Sequence, residues 1–167
     1  MLNFITNNTA FNMIINKPPH VTGQHPMHQD LLYFPFRPVD RIVGAWVPLQ
    51  SVNRENGTLA VIPGSHHLPL LEHGTPEDMK NLNLAFFAAL GDYDINDRVH
   101  VIAEPGDVVF FHPLLLHGTG RNRTEGYRRV SIAHYASSEC EYMENGEQFA
   151  QIRHYTLVRG EEFEGCL

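Results

Sequence analysis

Punctuation constrains this chain more than anything else in it. Lys17-Pro18-Pro19, Arg37-Pro38-Val39-Asp40, Pro63-Gly64-Ser65 and Glu104-Pro105-Gly106 are turn signals spaced too closely for long helices. Between them lie short β-type runs at 11–15 (FNMII), 28–34 (HQDLLYF), 41–49 (RIVGAWVPL), 57–62 (GTLAVI), 99–103 (VHVIA) and 107–112 (DVVFFH). Residues 128–137 (RRVSIAHYAS) alternate as a half-buried strand should, and 152–158 reads as a final strand. The middle differs. Thr75 is a suitable N-cap for a short helix over 76–82, and 84–90 fits helix or strand equally. Many short strands with one helical excursion predict a mainly β sandwich or jelly roll, forming a single domain over 1–167.

Composition narrows the function classes. The chain is 43% hydrophobic and 19% charged, which suits a packed globular core. No run approaches the roughly 20 apolar residues of a membrane span. A formal net charge of −7 argues against general nucleic-acid binding. Cys140 and Cys166 make no disulfide framework, and the N-terminus lacks the pattern of a secretory signal, so an intracellular compartment is expected.

Within this frame, His28 and Asp30 stand two apart in a run read as extended. Alternation on a strand sends both side chains to one face. Two His and one carboxylate form the facial set that non-haem Fe(II) oxygenases use, because it leaves adjacent positions open. The chain holds 11 His, so H-x-D alone is weak, and a loop His beside an Arg-paired Asp explains it as well. His117, closing the apolar segment FFHPLLLHGTG, is a third ligand candidate. Arg128, at the start of an alternating strand, can offer a planar fork to a carboxylate, with the Thr119 hydroxyl sharing it. Gln29 should point away from the ligands, toward packing. His112 is read as a local strand-end hydrogen-bonder, and Trp46 and Met13 as core residues.

The stretches MIINKPP, HPMHQDLLYFPFRP, DRIVGAW, NGTLAVIPGSH, EPGDVVFFHPLLLHGTGRN and GYRRVSIAHYAS run in one order over residues 13 to 137. In them the chain resembles the phytanoyl-CoA hydroxylase family of Fe(II)/2-oxoglutarate dioxygenases. The resemblance implies a double-stranded β-helix with His28, Asp30 and His117 as iron ligands. It implies Arg128 and Thr119 at the far carboxylate of 2-oxoglutarate, and it moves Trp46 and Met13 to that cosubstrate's pocket. It further implies O2 as co-reactant, ascorbate as reductant, a branched fatty acyl-CoA substrate hydroxylated at C2 in fatty acid α-oxidation, and a peroxisomal location. Asp30, where a halogenase would have a small residue, implies hydroxylation.

Only about a dozen residues precede MIINKPP. The jelly roll is therefore expected to be incomplete at its N-terminus, and to lack a lysine contact to 2-oxoglutarate that the family carries there. Two other readings stay open: a non-catalytic metal- or 2-oxoglutarate-binding remnant, and a Zn(II) hydrolase, which leaves Arg128 unexplained. Arg121, Arg123, Arg128 and Arg129 read either as a contact for CoA phosphates or as a solvated turn.

Overall fold

Arg128–Ser137 (β11) buries Arg128, Val130, His134 and Ala136, the alternation expected of one face of a strand. It is the centre of the larger sheet in the computed structural model, which describes residues 8–20, 23–75, 87–143 and 156–157. Asn8–Lys17 (β1) runs antiparallel along its whole length, pairing Lys17 with Arg128 and Met13 with Ile132. On the other side lies Ile42–Pro48 (β4), then Val109–Phe111 (β9); Thr156–Leu157 (β13) adds to the far edge of β1. The order is β13-β1-β11-β4-β9.

A second sheet, in the order β2-β10-β5-β8, is built from His25–His28 (β2), His117–Thr119 (β10), Leu59–Val61 (β5) and Val99–His100 (β8). Two small hairpin-like pairs complete the described strands. Phe36–Arg37 (β3) pairs with Glu141–Tyr142 (β12), and Glu72–Gly74 (β6) with Ala88–Leu90 (β7).

Cross-strand partners share a face, so register shows what each sheet turns inward. The larger sheet presents the rows Lys17–Arg128, Ile15–Val130–Pro48, Met13–Ile132–Trp46–Val109 and His134–Gly44–Phe111. The smaller presents His28–His117–Val61. Phe111 joins the layers, its ring 4.9 Å from that of His117 and 5.9 Å from that of His134. Gly44 is required there, because a Cβ on it would fall inside the Phe111 ring. Trp46, Val52, Leu59, Ala103, Phe111 and Val130 form the apolar core beside this contact.

Three expectations change. The strand over 11–15 does not stop at Lys17 but runs through it, so Lys17 is a buried strand residue, not part of a turn. The strand over 28–34 does not exist: β2 ends at His28, and Asp30–Tyr33 is a 3-10 turn. The Leu31 amide donates to the Pro113 carbonyl (3.0 Å), a partner 82 residues away that local alternation does not reveal. Of 84–90, the residues Ala88–Leu90 are strand. The helix over 76–82 and most of 152–158 lie outside the described residues. Among the described residues, no helix is long and apolar enough to cross a membrane.

Gln29 holds the 3-10 turn in place. Fully buried, it donates from Nε2 to the carbonyls of Pro69 (3.1 Å) and Leu114 (2.9 Å), and its Oε1 accepts from the Leu71 amide (2.8 Å). Gln29→Leu keeps the volume but orphans three backbone groups. At about 1 kcal/mol or more for each, it is expected to destabilise the fold by about 3 kcal/mol, readable as a lower urea midpoint at unchanged m-value.

Candidate metal centre

β2 and β10 are neighbours, and their register sets His28 directly opposite His117. The two rings lie 4.3 Å apart, both buried. Each Nδ1 is engaged by the carbonyl two residues upstream: His28 with Pro26 and His117 with Leu115, both at 2.8 Å. A carbonyl only accepts, so Nδ1 carries a proton and Nε2 is the nitrogen left to face a metal. Both Nε2 atoms face Asp30 Oδ1, at 3.1 Å from His28 and 3.4 Å from His117. Gln29 is extended (φ −117°, ψ 124°), so His28 and Asp30 still converge although the strand ends between them. The three ligand atoms lie within 4.8 Å of one another. One carboxylate and two imidazole Nε2 atoms around a shared point fit a facial site for a divalent ion.

His134, on β11, completes the surroundings of Asp30. Its Nε2 donates to Asp30 Oδ2 at 2.6 Å, leaving Oδ1 to the two ligand imidazoles. Burial alone would raise the Asp30 pKa, but the charges and hydrogen bonds of His117 and His134 hold it well below the usual carboxylate range. Burial likewise disfavours the charged form of His117, and the Asp30 carboxylate outweighs it and raises that imidazole.

A second polar cluster sits where Lys17 pairs with Arg128. The Arg128 side chain is completely buried, and among the described residues Nε, Nη1 and Nη2 have no hydrogen-bond partner. Beside it, Lys17 Nζ donates to Thr119 Oγ1 (2.8 Å) and to the Gly120 carbonyl. Burial, then the Arg128 charge, pushes the Lys17 ammonium down to about 7, and burial pushes Arg128 down to about 10. His25 adds a neutral imidazole: burial, then neighbouring His28 and Lys17, pushes it down to about 3. Two buried cations without a carboxylate between them are an anion site in search of an anion. The guanidinium fork fits the distal carboxylate of a keto diacid.

Thus His28, Asp30 and His117 meet at one point, and Arg128 and Thr119 each neighbour Lys17 at another. Trp46 is buried in the apolar core, and Met13, 37% exposed, shares its inward row across Ile132. His112 accepts from the Leu114 amide (3.1 Å), the local role expected of it. The four-arginine run does not form a cluster. Arg128 is interior, whereas exposed Arg129 stacks on Tyr127 at 5.3 Å. Lys17, His134 and His25 escaped sequence reasoning; the register of β1 and β2 against their partners is the only signal that would have found them.

The larger and smaller sheets are those of the jelly-roll oxygenases. Residues 3–130 match the profile of the family Phytanoyl-CoA dioxygenase (PhyH), and the chain belongs to that family. It is 48% identical over 136 residues to the bovine protein named "Phytanoyl-CoA dioxygenase, peroxisomal" and 50% identical over 136 residues to a "Probable phytanoyl-CoA dioxygenase" of Caenorhabditis elegans. These alignments cover 79% and 78% of this chain but only 40% and 43% of those relatives. Among solved structures, EvdO2 from Micromonospora carbonacea var. aurantiaca complexed with 2-oxoglutarate matches with a TM-score of 0.70 at 25% identity, over 85% of this chain and 58% of that one. The epimerase SnoN, solved with Fe3+, alpha ketoglutarate and nogalamycin RO, matches at 0.65 and 25% identity, over 84% of this chain and 54% of its own.

Proposed function

We propose that this chain binds Fe(II) through His28, Asp30 and His117 and 2-oxoglutarate through Arg128, as a hydroxylase of a fatty acyl-CoA. The observation that carries this reading is a three-ligand site at the smaller sheet together with a buried guanidinium on the larger sheet, unpartnered among the described residues. A Zn(II) hydrolase has no use for that guanidinium. When bound together, Fe(II), 2-oxoglutarate and O2 supply hydroxylation coupled to decarboxylation to succinate and CO2. The protein's own part is to position and to exclude water. His28 and His117 present Nε2 because Pro26 and Leu115 hold Nδ1. Arg128 neutralises the distal carboxylate, and Met13 and Trp46 line the cosubstrate's apolar flank. Thr119 accepts a hydrogen bond from Lys17, which leaves its own O–H to donate toward that carboxylate.

The acyl-CoA substrate and a peroxisomal location are supported by the names of relatives that this chain matches over less than half their length. In a second reading the same site binds metal and 2-oxoglutarate without turnover. Anaerobic titration with Fe(II) and 2-oxoglutarate tests the shared part through a visible charge-transfer band, and its absence from well-folded protein ends the proposal. Succinate release that depends on an added acyl-CoA separates the two readings.

Lys17 makes the cosubstrate site proton-linked. Buried beside the Arg128 charge, it titrates near pH 7 instead of 10.5. From pH 7 to 10.5 the unfolded chain binds this proton and the folded chain does not, so stability from this group rises with pH over that window; its full cost is felt below pH 7. A carboxylate ligand restores the ammonium. At pH 8, calorimetry of 2-oxoglutarate binding with Mn(II) in place of Fe(II), in buffers of different ionisation enthalpy, is expected to show uptake of most of one proton. Lys17→Met should abolish the uptake.

A further inference from the structure

The smaller sheet has an outer face, and a cavity of about 350 Å³ lies on it. Its floor follows from register: Gly118 pairs with Ala60 and Ala60 with His100, the residues between those that face the metal centre. None of His28, Asp30, His117 and Arg128 lines this cavity. Gly118 and Ala60 form this floor, and a Cβ on Gly118 would meet the His25 and Pro26 carbonyls and the Met27 sulfur, so β2 lies close against it. Arg54, Arg98, Arg121 and Arg123 line the rest, with Tyr93 and Ile95 as an apolar flank.

The charge pattern is unusual for this molecule. Four of its 12 Lys and Arg surround one cavity, while the whole chain carries a net charge of −7. Among the described residues no Asp or Glu lines the cavity, and none of the four arginines is in an ion pair. Arg98 spends one donor on the Ile95 carbonyl (2.7 Å), and its remaining donors are free. The groups crowd one another: after burial, the charges of Arg54 and Arg98 are what lower the His100 pKa. Four guanidinium forks from three loops, Arg121 and Arg123 sharing one, gather around this space without a counter-charge among the described residues, a setting that suits an anion with several oxygens.

We propose that this outer cavity is a binding site for the phosphate groups of a nucleotide-sized ligand, with Arg54, Arg98, Arg121 and Arg123 as its anion contacts. A diphosphate offers enough oxygens to engage more than one fork at once, whereas a single carboxylate does not. The space beyond the phosphates, against Tyr93 and Ile95, takes an apolar or ring-bearing part. His25, Thr119 and Gly120, which flank Lys17, also line this cavity, so it adjoins the cosubstrate cluster, while its arginine contacts do not depend on the Fe(II)/2-oxoglutarate reading. Its ligand is either the CoA moiety of an acyl substrate or an independent phosphorylated molecule; the chemistry is common to both.

Calorimetry on the whole 167-residue chain, without metal or 2-oxoglutarate, tests this with pyrophosphate, ADP and CoA as probes. Pyrophosphate and at least one of the other two should bind saturably and more weakly as salt rises. The pairs Arg121→Gln/Arg123→Gln and Arg54→Gln/Arg98→Gln should each weaken binding about ten-fold or more. Arg129→Gln, outside the cavity, should not. CoA binding ten-fold tighter than pyrophosphate and ADP identifies the acyl carrier, and equal affinities identify an independent phosphate ligand. Binding by none of the probes, or binding indifferent to both arginine pairs in variants with unchanged thermal melts, overturns the proposal. The Fe(II)/2-oxoglutarate charge-transfer band, recorded on the same variants, fails or persists independently.

Discussion

Arg128→Met is expected to make the ligand-free chain more stable while ending its use of 2-oxoglutarate. The guanidinium is completely buried, keeps its charge at neutral pH with a pKa near 10, and has three nitrogens without partners among the described residues. An uncompensated buried charge costs several kcal/mol, and each orphaned donor adds its desolvation. Methionine fills similar space without either cost. A gain of about 2–4 kcal/mol follows, or a rise in Tm of about 5–15 °C for a chain of this size. The same change removes the anchor of a buried carboxylate, worth about 2–5 kcal/mol, so 2-oxoglutarate affinity should fall by about 30-fold or more. Differential scanning calorimetry without ligand, together with 2-oxoglutarate titration, reads both effects. A variant that is less stable and binds 2-oxoglutarate normally would show that Arg128 is structural. Arg128→Lys should fall between, keeping the charge and losing the fork.

The opposed signs of those two effects bear on what a sequence can reveal. Arg128 was legible as a site residue because RRVSIAHYAS alternates so cleanly that its phase is unambiguous, and β11 occupies 128–137 as expected. The jelly roll itself was legible for a similar reason, since Gly and Pro punctuation marks where strands end. HQDLLYF was misread because its apolar pattern suits a strand and a 3-10 turn alike. Contacts of Gln29 with Pro69, Leu71 and Leu114 decide the matter, and they belong to other parts of the chain. Lys17 was assigned to a turn on the strength of Pro18 and Pro19, yet its pairing with Arg128 carries it into the interior. His134 lies 104 residues from Asp30, and the outer cavity draws its arginines from three loops. Chemistry assembled from one local motif could be read; chemistry assembled across strands needed the register.

Asp30→Ala is expected to remove the charge-transfer band entirely and to weaken Fe(II) binding by about 1,000-fold or more, roughly 4 kcal/mol. Two neutral imidazoles alone neither complete the facial set nor balance the ion's charge. His134→Phe makes the sharper test, because it separates the ligand from its orientation. Phenylalanine keeps the ring that packs 4.7 Å from Phe34 and 5.9 Å from Phe111, and removes the hydrogen bond to Asp30 Oδ2. If that bond fixes which oxygen faces the metal, Fe(II) affinity should drop by about 10–100-fold while the melt changes little. The band should then return at higher Fe(II), which it cannot do in Asp30→Ala. Unchanged affinity in His134→Phe would mean that His28 and His117 suffice to orient the carboxylate, and a band surviving in Asp30→Ala would remove Asp30 from the ligand set. The ordering of the two variants therefore tests the geometry around Asp30 independently of any substrate.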